Sequence, residues 1–373
     1  MEKYRIGLVP GPVSVPEYIR KAWSSDFGSS DLEEEFFSLY RENQTLTQKL
    51  LHTQNSIVIT SGEAMSILWA ALKCTLRPAA KALAISAGLF GSGFADMAKS
   101  FGVNAEICAF PYDDIPDPQK VLEHAKRFRP KVITAVHCET PSGTLLPANC
   151  LAELGSIARE VGAPFVVDFV SSAGGADIDV DACGIDIGLL GSQKALSLTP
   201  SLSISSISPR AWAVIQDVKY SGYDSYLGWR NVPENHYMPY THDWHSMKAL
   251  NISLNAIMSE GMENVFARHE KAAKLCRDMG RDMGLRLFPK SEEICSPTVT
   301  AFYIPDGMTW PELDEALRKR GVAVGGNYGC LAGKVFRIGH MGSQADCELV
   351  REGMSIVRKV LFQGSSSLTQ KTS

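Results

Sequence analysis

Pro164-Phe-Val-Val-Asp-Phe-Val-Ser-Ser-Ala-Gly-Gly175 and Gly184-Ile-Asp-Ile-Gly-Leu-Leu-Gly-Ser-Gln-Lys-Ala-Leu196 decide the architecture of this chain. In the first, a short apolar run ends on Asp168 and passes into a turn of small residues. Such a run, lacking polar alternation, reads as a strand buried on both faces, as parallel sheets require. The second run does the same and delivers Lys194, flanked by Ser192, Gln193 and Ala195. Open parallel sheets bind ligands at the carboxyl ends of their strands, so Asp168 and Lys194 are expected at one edge.

Working outward, strands and helices alternate. Residues 57–60 precede a helical stretch at 63–73, and 82–86 precede one at 93–101. Residues 131–137 lead through a turn into a helix at 148–161, and 203–207 add another strand. This is the pattern of an α/β fold with a mostly parallel sheet covered by helices on both faces. From 248 to 286 the pattern is helical, and the amphipathic stretch 260–283 reads as a spine between two domains. Residues 296–361 read as a small α+β domain. The expected division is an N-terminal segment at 1–15 packing on the small domain, a large domain at 16–260, a small C-terminal domain at 261–361 and a disordered tail at 362–373.

The 373 residues are 45% apolar and 21% charged, with a net charge of −4. That balance offers no electrostatic footprint for nucleic acid or an anionic membrane. No apolar run reaches bilayer length, and Pro10 and Pro12 interrupt the N-terminal apolar stretch, which makes a poor signal peptide. Nine scattered cysteines without a Cys-x-x-Cys spacing argue against a disulfide framework or a zinc site, and a cytoplasmic location is expected.

The chemistry starts from Lys194 and Asp168. A lysine amine can form a Schiff base with a pyridoxal aldehyde, and a nearby acid can keep the pyridine nitrogen protonated so that the ring accepts electrons. Ser61, Gly62 and Glu63 join a strand to a helix, where free backbone N–H groups can hold a phosphate. Phe90 follows the next strand, placed to stack on a flat ring. Glu139 and Thr140 follow a further strand and would face the same crevice, while His137 reads as structural. His236, His242 and His245 lack partners at metal-ligand spacing, so no metal is expected. Arg337 is suited to grip a substrate carboxylate through two hydrogen bonds.

In order and spacing, Ser61-Gly62, Phe90, Glu139-Thr140, Asp168, Ser192-Gln193-Lys194, Thr241 and Arg337 resemble the class V, fold-type I aminotransferases of the alanine–glyoxylate and serine–pyruvate branch. The resemblance implies a seven-stranded-type, mostly parallel sheet sandwiched by helices, with pyridoxal 5'-phosphate as cofactor. It implies an amino group moved from a small amino donor to pyruvate or glyoxylate. Lys194 would carry the Schiff base and move the proton, Asp168 would pair with the pyridinium, and Phe90 would stack on the ring. Ser61, Gly62, Glu63 and Gln193 would hold the phosphate, Thr140 would bond the ring, and Arg337 would bind the substrate carboxylate. Thr241 would reach the phosphate from a partner subunit, implying a homodimer.

Glu63 departs from this pattern by putting a carboxylate where a dianionic phosphate would sit, where it would compete for the same N–H groups. Pyridoxamine–pyruvate aminotransferase, which the chain also resembles through Thr140-Pro-Ser-Gly-Thr144 and Arg337-Ile-Gly-His-Met-Gly342, carries a glutamate in that turn and uses unphosphorylated pyridoxamine and pyridoxal as substrates. That activity is the alternative expectation. A cysteine desulfurase-like lyase, acting through Cys330, is a remote one.

Overall fold

The computed structural model describes residues 4–363. The tail expected at 362–373 therefore lies, from 364 on, outside the described residues. A seven-stranded sheet runs in the order Ser56–Ser61, Leu202–Ile207, Ile187–Gly191, Phe165–Asp168, Val132–Val136, Lys81–Ser86, Asn104–Ala109. Four consecutive pairings across its larger part are parallel. Leu202–Ile207 is antiparallel to both neighbours, which leaves Ser56–Ser61 running in the common direction. The short link between Gly191 and Leu202 explains the exception, because a parallel crossover needs room for roughly a dozen or more residues.

The expected α/β class and the mostly parallel sheet are what the chain forms. Ile187–Gly191, Phe165–Asp168 and Val132–Val136 are buried at every position, which accounts for their unbroken apolar sequences. Helices Met65–Thr75, Leu89–Ser100 and Ala148–Glu160 cover the sheet through apolar faces.

A second core gathers around the antiparallel strands Val299–Tyr303 and Val335–Gly339 and the helix Cys347–Gln363. Strand Ile6–Leu8 pairs in parallel with Val322–Val324 and joins that core. The spine expected at 260–283 is the single helix Met262–Asp282, which Gly261 parts from the preceding helix Trp244–Glu260. Gly261 has φ 88°, a conformation side chains rarely adopt, and its N–H bonds the Ile257 carbonyl at 3.0 Å, ending the first helix.

Two buried histidines order this region: His269 fastens the second helix to the turn at Gly342, and His340 ties its own strand end to the strand Val299–Tyr303 and the residues before it. His269 donates from Nδ1 to the Val265 carbonyl and accepts the Gly342 N–H at Nε2. His340 donates from Nδ1 to Pro297 and takes the Thr300 hydroxyl at Nε2. Burial holds both neutral, with pKa values down to about 4 and about 3.

Candidate active site

The carboxyl ends of five strands supply the site. Ser61 ends one, Ser86 leads to Phe90, Val136 leads to Thr140, Asp168 ends the fourth, and Gly191 leads to Lys194. Glu63, Phe90, Thr140, Asp168, Gln193 and Lys194 line one cavity of about 370 Å³. These six expected residues are thus brought together from a stretch of sequence running from Glu63 to Lys194. Cys138, Val170, Ser171, Gly11 and Pro12 are also part of the wall.

Lys194 Nζ donates to the Pro10 carbonyl at 2.6 Å. A Cβ on Gly11 would fall 2.6 Å from that nitrogen, so a glycine is required there, and its φ of 96° demands one as well. Burial, and then the like charge of Arg337, push the Lys194 amine down to about 8. It is therefore a usable nucleophile and base near neutrality. Capture of pyridoxal by Lys194 is accordingly expected to accelerate with pH and level off above about 8. In Arg337→Gln the midpoint should move upward, because a positive neighbour has been removed. Stopped-flow absorbance across pH 6 to 10 measures both, and a midpoint near that of free lysine would refute the assignment.

Asp168 is buried, and its carboxylate accepts a hydrogen bond from the Val170 N–H at 2.8 Å. Burial lifts its pKa to about 6 despite that bond and the Lys194 charge. A carboxylate so raised gains most from an N–H cation such as a pyridinium. Thr140 Oγ1 and Ser171 Oγ share a hydrogen bond of 2.5 Å on the same wall.

The strand-to-helix turn is filled by its own side chain. Glu63 Oε2 accepts the Met65 N–H at 2.9 Å, at the start of helix Met65–Thr75. Its other oxygen accepts Gln193 Nε2 at 2.7 Å. The carboxylate thus takes up Gln193, one of the groups expected to hold a phosphate, together with a free N–H at the start of the helix. Gly62, with φ 132°, shapes the turn. Ser61 lies against the buried ring of His242, whose Nε2 donates to the Ile59 carbonyl at 3.1 Å, leaving Nδ1 to face the Ser61 hydroxyl at 3.5 Å. Ser61 and Thr241 line a separate small pocket with Tyr223 and Tyr240, and Thr241 is exposed within the chain.

Arg337 is buried outside that cavity wall, close enough for its charge to act on Lys194. Its Nε and Nη2 both donate to the Gly326 carbonyl, at 2.7 and 2.5 Å, and its guanidinium lies 4.8 Å from the Tyr328 ring centre. One edge of the guanidinium is therefore spent on the backbone, and Tyr328 is a further partner of the same group. Cys330 is exposed and does not line the cavity. His137 bonds Ser172 at 2.9 Å and is held neutral by burial, at about 4. His236 pairs with Glu34 and His245 with the Ser25 carbonyl, each apart from His242.

A larger cleft of about 1040 Å³ lies along the N-terminal segment, and it carries no comparable set of groups. Its Arg268 is spent on Glu260 and on the carbonyls of Gly342 and Ala345.

The residues present fit a pyridoxal ring. Asp168 awaits a protonated nitrogen, Lys194 an aldehyde, Phe90 a flat face, and the room between them is of cofactor size. At the 5' end, a phosphate requires Glu63 to leave the helix N-terminus and release Met65 N–H and Gln193 Nε2. Such a site, on this sheet, defines a pyridoxal-dependent transaminase.

Comparison with known proteins agrees. The model of the family described as aminotransferase class-V matches residues 16–345, and the chain belongs to that family. Pyridoxamine–pyruvate transaminase of Mesorhizobium japonicum is 33% identical, over 91% of this chain and 87% of that protein. The solved pyridoxamine–pyruvate aminotransferase from Mesorhizobium loti superposes with a TM-score of 0.91 at 30% identity, covering 97% of this chain and 93% of that one. Alanine–glyoxylate aminotransferase from Nostoc sp. superposes equally well, with a TM-score of 0.91 at 28% identity, covering 96% and 95%. The family is pyridoxal phosphate-dependent, and this chain is one of its transaminases.

Proposed function

We propose that this transaminase moves an amino group from a small amino donor to pyruvate or glyoxylate. The observation that carries the reading is the convergence of Lys194, Asp168, Phe90 and Thr140 on one cavity. When bound, the pyridoxal group supplies an electron sink for the pair left at the substrate Cα. The chain does the rest. Lys194, its amine near 8, takes the proton from Cα and returns it across the cavity. Asp168 holds the ring nitrogen in its protonated form, and Gly11 and Pro12 cover the lysine against water. Arg337 anchors the carboxylate. The test is turnover with pyridoxal phosphate, single amino donors and either oxo acid; inactivity with every pair sinks the reading.

Glu63 favours a second, narrower reading, in which unphosphorylated pyridoxamine is the amino donor and pyruvate the acceptor. Its carboxylate already caps the helix and binds Gln193, so a 5'-hydroxyl fits beside it without displacing a charge. Pyridoxamine and pyruvate should then give pyridoxal and alanine. Glu63→Ala should shift relative affinity toward the phosphorylated vitamer on the order of tenfold, since a like charge goes and a helix N-terminus opens. An unchanged ratio of pyridoxal to pyridoxal phosphate affinity in that variant would count against it.

The active form in this proposal is a homodimer in the cytoplasm, with Thr241 serving the partner's cup. Supporting the dimer is the exposed set Tyr223, Tyr237 and Tyr240 near Thr241 in sequence or space. The break at Gly261 and the two separate cores support a domain division at 260/261, and the pairing of Ile6–Leu8 supports an N-terminal segment lying on the small domain.

A further inference from the structure

We infer that Glu139 is a positioning residue for Phe90, fixing the height and tilt at which that ring faces the pyridoxal cavity. The inference rests on the pyridoxal reading above. Phe90 sits in the first turn of helix Leu89–Ser100, where backbone N–H groups have no partner within the helix. The residue before the helix is Gly88, which offers no side chain to cap them.

The cap comes instead from another strand end, 48 residues away. Glu139 Oε1 accepts the Gly91 N–H at 2.7 Å and Oε2 the Phe90 N–H at 3.2 Å. The carboxylate packs against Gly88, where an added Cβ would meet its Cδ at 2.2 Å, so a side chain at 88 would push the cap aside. Ser86 adds a second anchor by donating to the Gly88 carbonyl at 2.9 Å. Both carboxylate oxygens of Glu139 are given to backbone donors, and the side chain does not line the cavity, so proton transfer to substrate is not its task. Burial raises its pKa to about 7, and the two N–H groups and the helix dipole oppose that rise.

The neighbouring Thr140 does line the cavity and bonds Ser171. The dipeptide Glu139-Thr140 therefore registers two walls at once: one directly through Thr140 and one through Phe90. A displaced cap would tilt the stacking face while leaving Asp168 and Lys194 in place.

The test is pyridoxal binding, by absorbance titration, to the full chain and to Glu139→Gln, Glu139→Ala, Phe90→Leu and the Glu139→Ala/Phe90→Leu pair. Glu139→Ala should weaken binding roughly fivefold, the scale of a lost helix cap, and shift the absorption maximum of bound pyridoxal. Glu139→Gln, which keeps one acceptor oxygen, should recover part of both. On the Phe90→Leu background, loss of Glu139 should cost less than twofold. An equal cost in both backgrounds, or a lower melting temperature with unchanged affinity and spectrum, overturns the inference. If the unaltered chain binds no pyridoxal species, the functional reading fails separately. In that case 4-fluorophenylalanine placed at position 90 still decides: its resonance must move on Glu139→Ala, and an unmoved resonance rejects the role.

Discussion

Lys194→Ala is expected to lower turnover on the order of 10,000-fold while leaving the fold intact, because one amine serves as covalent partner and as proton carrier. Its surroundings support so large an effect. Among the described residues no other lysine lines the cavity, and the Lys194 amine is held by the Pro10 carbonyl beside Gly11. The variant should still bind pyridoxal through Asp168 and Phe90, without the covalent band in its spectrum. Activity within a factor of ten of the unaltered chain would remove Lys194 from the centre of the reaction. Truncation to alanine leaves a small void beside Pro10, so a parallel melting curve separates loss of chemistry from loss of fold.

Asp168→Asn is expected to reduce turnover on the order of 100- to 1000-fold, the scale of removing one preorganised electrostatic partner. Asparagine matches the size of the carboxylate but brings no charge to keep a pyridine nitrogen protonated. The same logic sets a pH limit for the unaltered chain. With its pKa raised to about 6 by burial, Asp168 is charged above that value and neutral below it. Affinity for pyridoxal should therefore hold above pH 6 and fall as the pH drops through it. Isothermal titration between pH 5 and 8 checks the sign, and Asp168→Asn should flatten the profile. An affinity that rises on acidification would contradict the pairing.

Much of this was legible because strand ends carry the chemistry. Unbroken apolar runs marked Phe165–Asp168 and Ile187–Gly191 as buried strands, so Asp168 and Lys194 could be placed at one sheet edge without coordinates. Phe90 and Thr140 followed from the same rule, the part of Gln193 came only from the family resemblance, and the expected competition of Glu63 for its own helix N-terminus is what the side chain does.

What escaped depends on contacts between distant segments. The capping of helix Leu89–Ser100 by Glu139 joins residues that share no local pattern. The turn of Arg337 toward Gly326 is set by the path of a glycine-containing loop, which residue types alone do not define. Two finer details carried their own signals. Gly261 is the usual residue for stopping a helix, and the link from Gly191 to Leu202 is too short for a parallel return.

The bond from Lys194 to Pro10 has a mechanical side. Pro10 follows a strand that belongs to the small core, while Lys194 follows one that belongs to the large sheet. Val13 N–H to the Gln193 carbonyl, at 3.1 Å, ties the same segment a second time. The amine thus ties the segment that follows Ile6–Leu8 to the end of the large sheet. A lysine nitrogen bonded to another group in place of Pro10 would leave that tie to the Val13–Gln193 bond alone.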